Sequence, residues 1–384
     1  MKKLAIVITH PIQYYSPWFK LLAERKKLQL RVFYTWSQSA DTVKDKTFGL
    51  DIKWDIPLLK GYDYEFVKNR SRKPGSHHFF GIDCPDLIPR LKSFSPDAIL
   101  FFGWNFKSHL KAMRYFHGKV RVWFRGDSTL LDEVGGLKTK LRRIVLKTVY
   151  RYVDKAFYVG QANKAYFLKH GLSEGQLIYA PHAVDNERFT DNKVKKYKAQ
   201  ANKLRKELGI KDEDLVLIYA GKFEFVKQVD LLLKAIIKAN LKRDLPIKII
   251  LVGKGPMEHY LKKLSKSYGF IYFFPFQNQS RMPVIYNAGD LFCLPSKSET
   301  WGLAVNEALS CGKAVLVSDK VGCSFDLVQH GINGYIFKHD NPNELISILT
   351  NLSKSKLNLM STYAHKSVQN FNFLRIVSKL ENNI

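Results

Sequence analysis

Two glutamates eight positions apart bracket the most chemically suggestive stretch of this 384-residue chain. Glu299 stands in Pro295-Ser-Lys-Ser-Glu-Thr-Trp-Gly-Leu, and Glu307 in the following run that ends at Gly312. Apolar residues at 303, 304, 305, 308 and 309 predict a helix over 303–311 with Gly312 as its C-terminal cap. The run 290–295 predicts a short buried strand before it. Thr300 is placed to cap the helix, which leaves the Gly302 and Leu303 amides unpaired in the first turn. Gly302 has no Cβ, so an anion can approach the backbone there. Carboxylates on either side of a bare helix start suit a ligand with phosphate at its middle and hydroxyls at both ends, as in a nucleotide-sugar. A surface loop with solvated glutamates before an ordinary helix has the same spacing.

A second candidate cluster is Gly221-Lys-Phe-Glu-Phe-Val-Lys227, directly after a predicted strand. Lys222 and Lys227 at the carboxyl end of that strand can hold a diphosphate and stabilise the charge that builds as a bond to it breaks. A pair of exposed lysines in a lysine-rich chain reads the same way. Val252-Gly-Lys-Gly-Pro256 follows the next strand. Without a third glycine it fails as a dinucleotide fingerprint, but Gly253 and Gly255 allow close backbone approach to a ligand. The sequence has no phosphate-binding Gly-x-x-x-x-Gly-Lys-[Ser/Thr], no Gly-x-Ser-x-Gly and no His-Glu-x-x-His. No metal ligand is predicted and no metal-chelated donor is expected.

The elements that must carry these residues alternate strictly. Apolar runs at 4–8, 30–36, 98–102, 120–124, 156–159 and 177–180 predict strands buried on both faces, with helical segments between most of them. Ser16-Pro17 opens the first helix. Residues 37–80, rich in aromatics and charge, read as an irregular insertion. After a polar stretch at 185–198, a candidate hinge, the alternation restarts at 215–220, 247–252, 271–274, 291–294, 314–317 and 335–337. The pattern predicts an α/β protein of two doubly wound halves. Ligands of open parallel sheets bind beyond the carboxyl ends of the strands, so the expected site is a cleft between the halves.

Composition narrows the partners. Lys and Arg number 62 against 34 Asp and Glu, a net charge of +28 that favours nucleic acid, an acidic lipid surface or a phosphorylated substrate. A host whose proteins run basic gives the same balance. Cys84, Cys293, Cys311 and Cys323 show no metal spacing and read as free thiols in a reducing cytoplasm. No run approaches eighteen apolar residues, and the N-terminal apolar run breaks at His10-Pro11, too early for a signal peptide. Membrane contact is therefore expected to be peripheral. Its candidate is a helix over 137–155, where Lys140, Arg143, Lys147 and Arg151 form a basic stripe. Leu137, Leu141, Ile144, Val145, Thr148 and Tyr152 line another side. The pattern predicts a helix packed on the core with its basic face outward, toward solvent or anionic headgroups.

In order, these motifs resemble glycosyltransferase family 4, retaining enzymes of the GT-B fold with two Rossmann-like domains. The resemblance rests on Ala220-Gly-Lys-Phe with Lys227, on Val252-Gly-Lys-Gly-Pro, on Ser296-Lys-Ser-Glu-Thr-Trp-Gly-Leu and on Glu307-Ala-Leu-Ser-Cys-Gly. Gly331-Ile-Asn-Gly-Tyr closes the series, and Ala180-Pro-His-Ala-Val-Asp resembles the interdomain segment of such enzymes. It implies an acceptor-binding domain over 1–184, a donor-binding domain over 185–365 and a helix over 366–384 that crosses back to the first domain.

The resemblance also implies roles. Lys222 and Lys227 bind the donor diphosphate, Glu299 meets the donor sugar, Gly302 and Leu303 hold the distal phosphate, and Glu307 takes the ribose. Gly221, Gly253, Gly255, Phe276 and Trp301 complete the donor site. No cofactor or metal is expected, because the lysines and the helix start act on the leaving group. The N-terminal half departs from the family pattern. His10-Pro-Ile-Gln13 replaces a Gly-Gly turn, and Arg125-Gly-Asp127 replaces a pair containing histidine. His10, Gln13, Arg125 and Asp127 are assigned to the sugar or acceptor, with His10 taking part of the missing histidine's role.

The leading expectation is a cytoplasmic hexosyltransferase acting on a glycan or polyprenyl-linked acceptor in bacterial surface-polysaccharide assembly. A nucleotide-sugar epimerase on the same fold is the enzymatic alternative. A basic nucleic-acid- or membrane-binding protein without transferase activity is the other. No nucleic-acid motif is present.

Overall fold

The runs predicted as strands are continuous and apolar because both of their faces are covered. The structure, a computed structural model, describes residues 1–36, 43–45 and 50–384, with backbone alone for 43–45 and 50–52. Its strands are β1 (Lys3–Ile8), β2 (Gln29–Tyr34), β3 (Val43–Asp45), β4 (Leu50–Ile52), β5 (Tyr64–Phe66), β6 (Ala98–Phe102), β7 (Arg121–Arg125), β8 (Lys155–Tyr158) and β9 (Leu177–Tyr179). They continue with β10 (Val216–Ala220), β11 (Lys248–Val252), β12 (Ile271–Phe274), β13 (Leu291–Leu294), β14 (Ala314–Ser318) and β15 (Gly334–Phe337). The helices are α1 (Ser16–Glu24), α2 (Leu87–Phe94), α3 (Lys107–Phe116), α4 (Leu137–Tyr150), α5 (Gln161–Lys169), α6 (Asn186–Phe189) and α7 (Tyr197–Glu207). After these come α8 (Val229–Asn240), α9 (Glu258–Ser265), α10 (Met282–Ala288), α11 (Leu303–Ser310), α12 (Ser324–Leu327), α13 (Pro342–Thr350), α14 (Lys354–Val368) and α15 (Phe373–Glu381).

The chain forms two parallel-sheet units of the Rossmann type, as the GT-B expectation requires. The first comprises Met1–Val43, Ile56–His182 and Phe373–Ile384, and the second Lys44–Asp55 and Ala183–Asn372. In the first, the strand order is β5-β2-β1-β6-β7-β8-β9. Here β1 pairs in parallel with both β2 and β6, so the order reverses between β1 and β6. In the second, the order is β12-β11-β10-β13-β14-β15 and the reversal falls between β10 and β13. A doubly wound sheet opens its ligand crevice where the order reverses, beyond the carboxyl ends of those strands.

Three details differ from the sequence reading. The irregular insertion contains β5, which adds to the edge of the first sheet beside β2. Residues 37–42 and 46–49 of that insertion lie outside the described residues. The returning C-terminal segment starts at Phe373 rather than 366, because α14 and Phe371 stay with the second unit, where Asn186 Nδ2 donates to the Phe371 carbonyl at 3.1 Å. From Phe373 on, the chain packs on the first unit: Arg25 holds Glu381 through two bonds of 2.7 and 3.0 Å.

The third difference is α4. The side chains it turns to the core are Leu146, Val149 and Tyr150. At 100° per residue these lie on the face opposite Leu137, Leu141, Ile144 and Val145. Those four are 74, 56, 63 and 52% exposed. The apolar side expected to pack inward is therefore outward, together with Lys140, Lys147 and Arg151. Arg143 is half-buried and pairs with Glu133.

Candidate active site

In the second unit, the loops after β10 and β13 flank the order reversal, and both sequence-predicted clusters sit on them. The loop after β10 carries Lys222 and Lys227, and the loop after β13 carries Glu299. Lys227 Nζ lies 2.5 Å from Glu299 Oε2, with both side chains about four-fifths covered. Glu299 is held in place by its backbone: its N–H donates to the Lys320 carbonyl at 3.2 Å, and its carbonyl accepts from Gly322 at 3.0 Å. Lys222 is half-buried, and its carbonyl accepts from the Tyr219 hydroxyl at 2.7 Å.

Next to this ion pair, α11 begins at Leu303. Thr300 is not its cap. Gly302 takes the cap position with φ of +96°, a conformation open to glycine, and no side chain caps the helix. A Cβ there would come within 3.0 Å of both Leu294 and Val321. The first amides of a helix have no intrahelical partner, so this start presents N–H groups and the positive end of the dipole.

Other predicted donor residues have different duties. Gly253 has φ of +147°, and a Cβ on it would lie 2.0 Å from the Gly221 carbonyl oxygen. A Cβ on Gly255 would lie 2.6 Å from the Phe223 carbonyl oxygen. The space these glycines leave is filled by the 221–223 backbone, so they seat the lysine loop rather than leave a gap for ligand. Trp301 is buried, donates its indole N–H to Asn306 Oδ1 at 2.8 Å and packs near Phe371. It anchors the loop from inside the core, whereas the resemblance assigns it to the donor site. Glu307 is buried too, and Oε2 accepts from the Tyr286 hydroxyl at 2.7 Å. Phe276 is half-exposed with Trp54 edge-on at 6.0 Å, and the neighbouring Asn278 amide donates to the Lys53 carbonyl at 2.6 Å.

The first unit places a cavity of about 330 Å³ beyond β1, β6 and β7, lined by Thr9, Tyr15, Trp104, Arg125, Asp127 and Tyr150 among others. Arg125 is buried, and its guanidinium donates to the carbonyls of Ala180 (2.7 Å) and Pro181 (3.2 Å). Burial lowers it to about 10, opposed by Tyr15 and Asp127. Its two terminal nitrogens are thus engaged by backbone, and the sugar contact predicted for it is not how they are used. They fix the segment that carries His182, whose Nε2 lies 3.8 Å from Asp127 Oδ2. The His182 ring stacks on Tyr15 at 6.1 Å with 7° between planes. Burial lowers the His182 pKa and Asp127 opposes that shift. His10 bonds Thr9 Oγ1 through Nδ1 at 2.9 Å and meets Trp36 edge-on, and burial brings it down to about 4. It is neutral at pH 7. Gln13 is half-exposed in the turn before α1.

Among the described residues no cluster of three or more His, Cys, Asp or Glu is placed to hold a metal. Among the same described residues no helix is long and apolar enough to cross a membrane.

Residues 200–367 match the family model for glycosyl transferases group 1. The match lies wholly within the second unit. Over 181 residues the chain is 28% identical to D-inositol 3-phosphate glycosyltransferase of Rhodococcus erythropolis, covering 44% of this chain and 40% of that protein. The chain spans 36 to 40% of the length of the curated relatives it matches first. Among solved structures it superposes on Anabaena HepE in complex with UDP, at a TM-score of 0.72 and 18% identity, over 100% of this chain and 99% of that one. It also superposes on WaaG, a glycosyltransferase involved in lipopolysaccharide biosynthesis, at 0.65 and 16% identity, over 99% and 98%. At these identities the superpositions establish the shared fold.

The predicted residues divide between the two units. Lys227, Glu299, Gly302 and Leu303 come together at one order reversal. Arg125 and Asp127 come together at the other. Two partners were missed: Tyr286, which orients Glu307, and His182, which stands beside Asp127. His182 lies in Ala180-Pro-His-Ala-Val-Asp, a motif noticed for its position but not for its histidine.

Proposed function

We propose that this protein is a retaining glycosyltransferase. It moves a sugar from a nucleotide diphosphate-sugar to a glycan or polyprenyl-linked acceptor, working peripherally at the inner face of the cytoplasmic membrane. The observation that carries this reading is the Lys227–Glu299 pair at the β10/β13 reversal, beside a helix start that no side chain caps. Such a pair is a resting state for a site with two kinds of guest. A diphosphate takes Lys227 and Lys222, with its distal phosphate at the Gly302 and Leu303 amides. Glu299, released from the lysine, turns to hydroxyls of the donor sugar. Glu307, held by Tyr286, accepts from the ribose, and Phe276 borders the base.

In the transfer, the bond from the anomeric carbon to the phosphate oxygen breaks and a bond to the acceptor oxygen forms on the same face. The acceptor's proton passes to the departing phosphate oxygen, so the step needs no dedicated protein base. Lysines and helix amides stabilise the charge on the leaving diphosphate, which is the work a metal does elsewhere. We therefore propose metal independence. On the acceptor side, neutral His182 and the Asp127 side chain receive sugar hydroxyls. HepE's complex with UDP makes UDP-sugars the first donors to try, and WaaG's pathway supports surface polysaccharide as the setting.

The test is a thermal-shift screen against UDP-, GDP-, ADP- and CMP-sugars with and without EDTA. A ligand at a hundred times its Kd adds about 2.7 kcal/mol. The expected result is a shift with one nucleotide class that EDTA leaves intact. A shift with none of them removes the donor assignment, and one abolished by EDTA removes metal independence.

A further inference from the structure

Helix α4 shows two faces that ordinary packing does not explain. Its inner face, Leu146, Val149 and Tyr150, is buried, and Arg142 and Tyr150 also line the first unit's cavity. Its outer face is an apolar ridge of Leu137, Leu141, Ile144 and Val145, each more than half exposed, continued by Val134 at 79%. A soluble helix places charge there. On this helix the charge runs along the flanks instead. By helical geometry Lys140, Lys147 and Arg151 lie along one side of the ridge and Lys138 along the other. All four are exposed, and none has an ion-pair partner among the described residues. An apolar ridge edged by unpaired cations matches a surface that is hydrocarbon below and negative above.

We propose that α4 docks the protein on anionic phospholipid bilayers, with the ridge inserted at the headgroup level and the flanking lysines and Arg151 on lipid phosphates. The same helix separates the bilayer from the cavity, so the cavity lies about one helix diameter, roughly 10–12 Å, behind the headgroups. A saccharide whose lipid tail stays in the membrane can reach that distance. The acceptor is then a membrane-lodged glycolipid, a consequence that rests on the transferase reading, whereas the docking itself does not.

The experiment is flotation of the full chain with phosphatidylcholine vesicles, with and without phosphatidylglycerol. Wild type is expected to float only with the anionic vesicles. The double variant Leu141→Ser/Ile144→Ser should stay at the bottom while keeping the wild-type melting temperature. Lys140→Gln/Lys147→Gln/Arg151→Gln should lower partitioning by roughly a hundredfold, at about 1 kcal/mol per basic residue near the surface. Docking is overturned if wild type does not float, or if the serine variant floats as well as wild type. It is also overturned if the serine change splits a dimer in sedimentation without altering flotation, which would make the ridge a contact between copies. Because vesicle binding is read without substrate, a failed nucleotide-sugar screen with intact flotation would sink only the transferase reading.

Discussion

After β10 and β13 the chain sets a lysine against a glutamate at 2.5 Å beside an uncapped helix. After β1, β6 and β7 it sets a buried arginine on backbone carbonyls and a stacked neutral histidine beside an aspartate. Both sites occupy the reversal of a doubly wound sheet, yet their electrostatics are opposite in kind. The first holds full charges that exchange partners, which suits a ligand arriving with its own phosphates. The second holds charge fixed by the fold and lined by aromatic rings, which suits a neutral, hydroxyl-rich guest. One architecture thus divides into an anion site and a sugar site by what is left unfixed.

The sharpest way to break that contrast is Glu299→Ala. Transfer should fall roughly 10²- to 10³-fold, the worth of one to two hydrogen bonds to a charged group at about 1.5–3 kcal/mol each. Nucleotide binding should hold or tighten, because Lys227 no longer leaves a partner to meet phosphate. Calorimetry with the nucleoside diphosphate, beside initial rates, separates the two. Nucleotide affinity that falls in parallel with transfer would mean that Glu299 serves the anion after all.

The counterpart in the first unit is His182→Gln, with a smaller expected effect. Loss of the Tyr15 stack and of the ring facing Asp127 should cost about tenfold in transfer, near 1–1.5 kcal/mol. The thermal shift with the donor nucleotide should stay at its wild-type value. A loss of donor binding would contradict the division of labour.

Acidity offers a third comparison. His10, His109, His170 and His182 all have pKa values lowered by burial, and all lie in the first unit. His109 is completely buried, bonded to Thr35 Oγ1 at 2.8 Å and the Gly103 carbonyl at 2.9 Å, and burial brings it to about 4. A histidine whose folded pKa is depressed binds fewer protons when folded. Its contribution is present above the unfolded value of 6.5 and lost as pH falls from there toward 4. Hydrogen exchange should therefore quicken in the first unit over that window while the second holds. His109→Gln should flatten the dependence. Equal acid sensitivity in both units would refute the assignment.

How much of this was legible in the sequence follows from what kind of force placed each residue. Strands buried on both faces write themselves as unbroken apolar runs, so both sheets and their carboxyl-end loops were readable, and with them Lys227 and Glu299. Period alone says that α4 has an apolar stripe, but not which side meets the core. Three residues, Leu146, Val149 and Tyr150, outweighed the longer stripe because the sheet lies on their side. His182 and Tyr286 were missed because their partners, Asp127 and Glu307, are 55 and 21 positions away, and only the fold joins them. Gly253 and Gly255 looked like ligand space because a missing Cβ reads alike whether substrate or backbone fills it.

The smallest expected effect tests the least visible of these partners. Tyr286→Phe removes one hydroxyl from Glu307 Oε2 and leaves the ring packed near Phe189 and Phe292. If Glu307 merely fills the core, the change takes one donor from a buried carboxylate, and the melting temperature falls whether or not ligand is present. If Glu307 is held ready for ribose, saturating nucleotide supplies the missing donors and restores most of the loss. The predicted signature is a variant weaker by about 0.5–1.5 kcal/mol alone, with a larger ligand-induced shift than wild type. A ligand-induced shift no larger than wild type's would leave Glu307 a structural carboxylate and move the ribose contact elsewhere in the second unit.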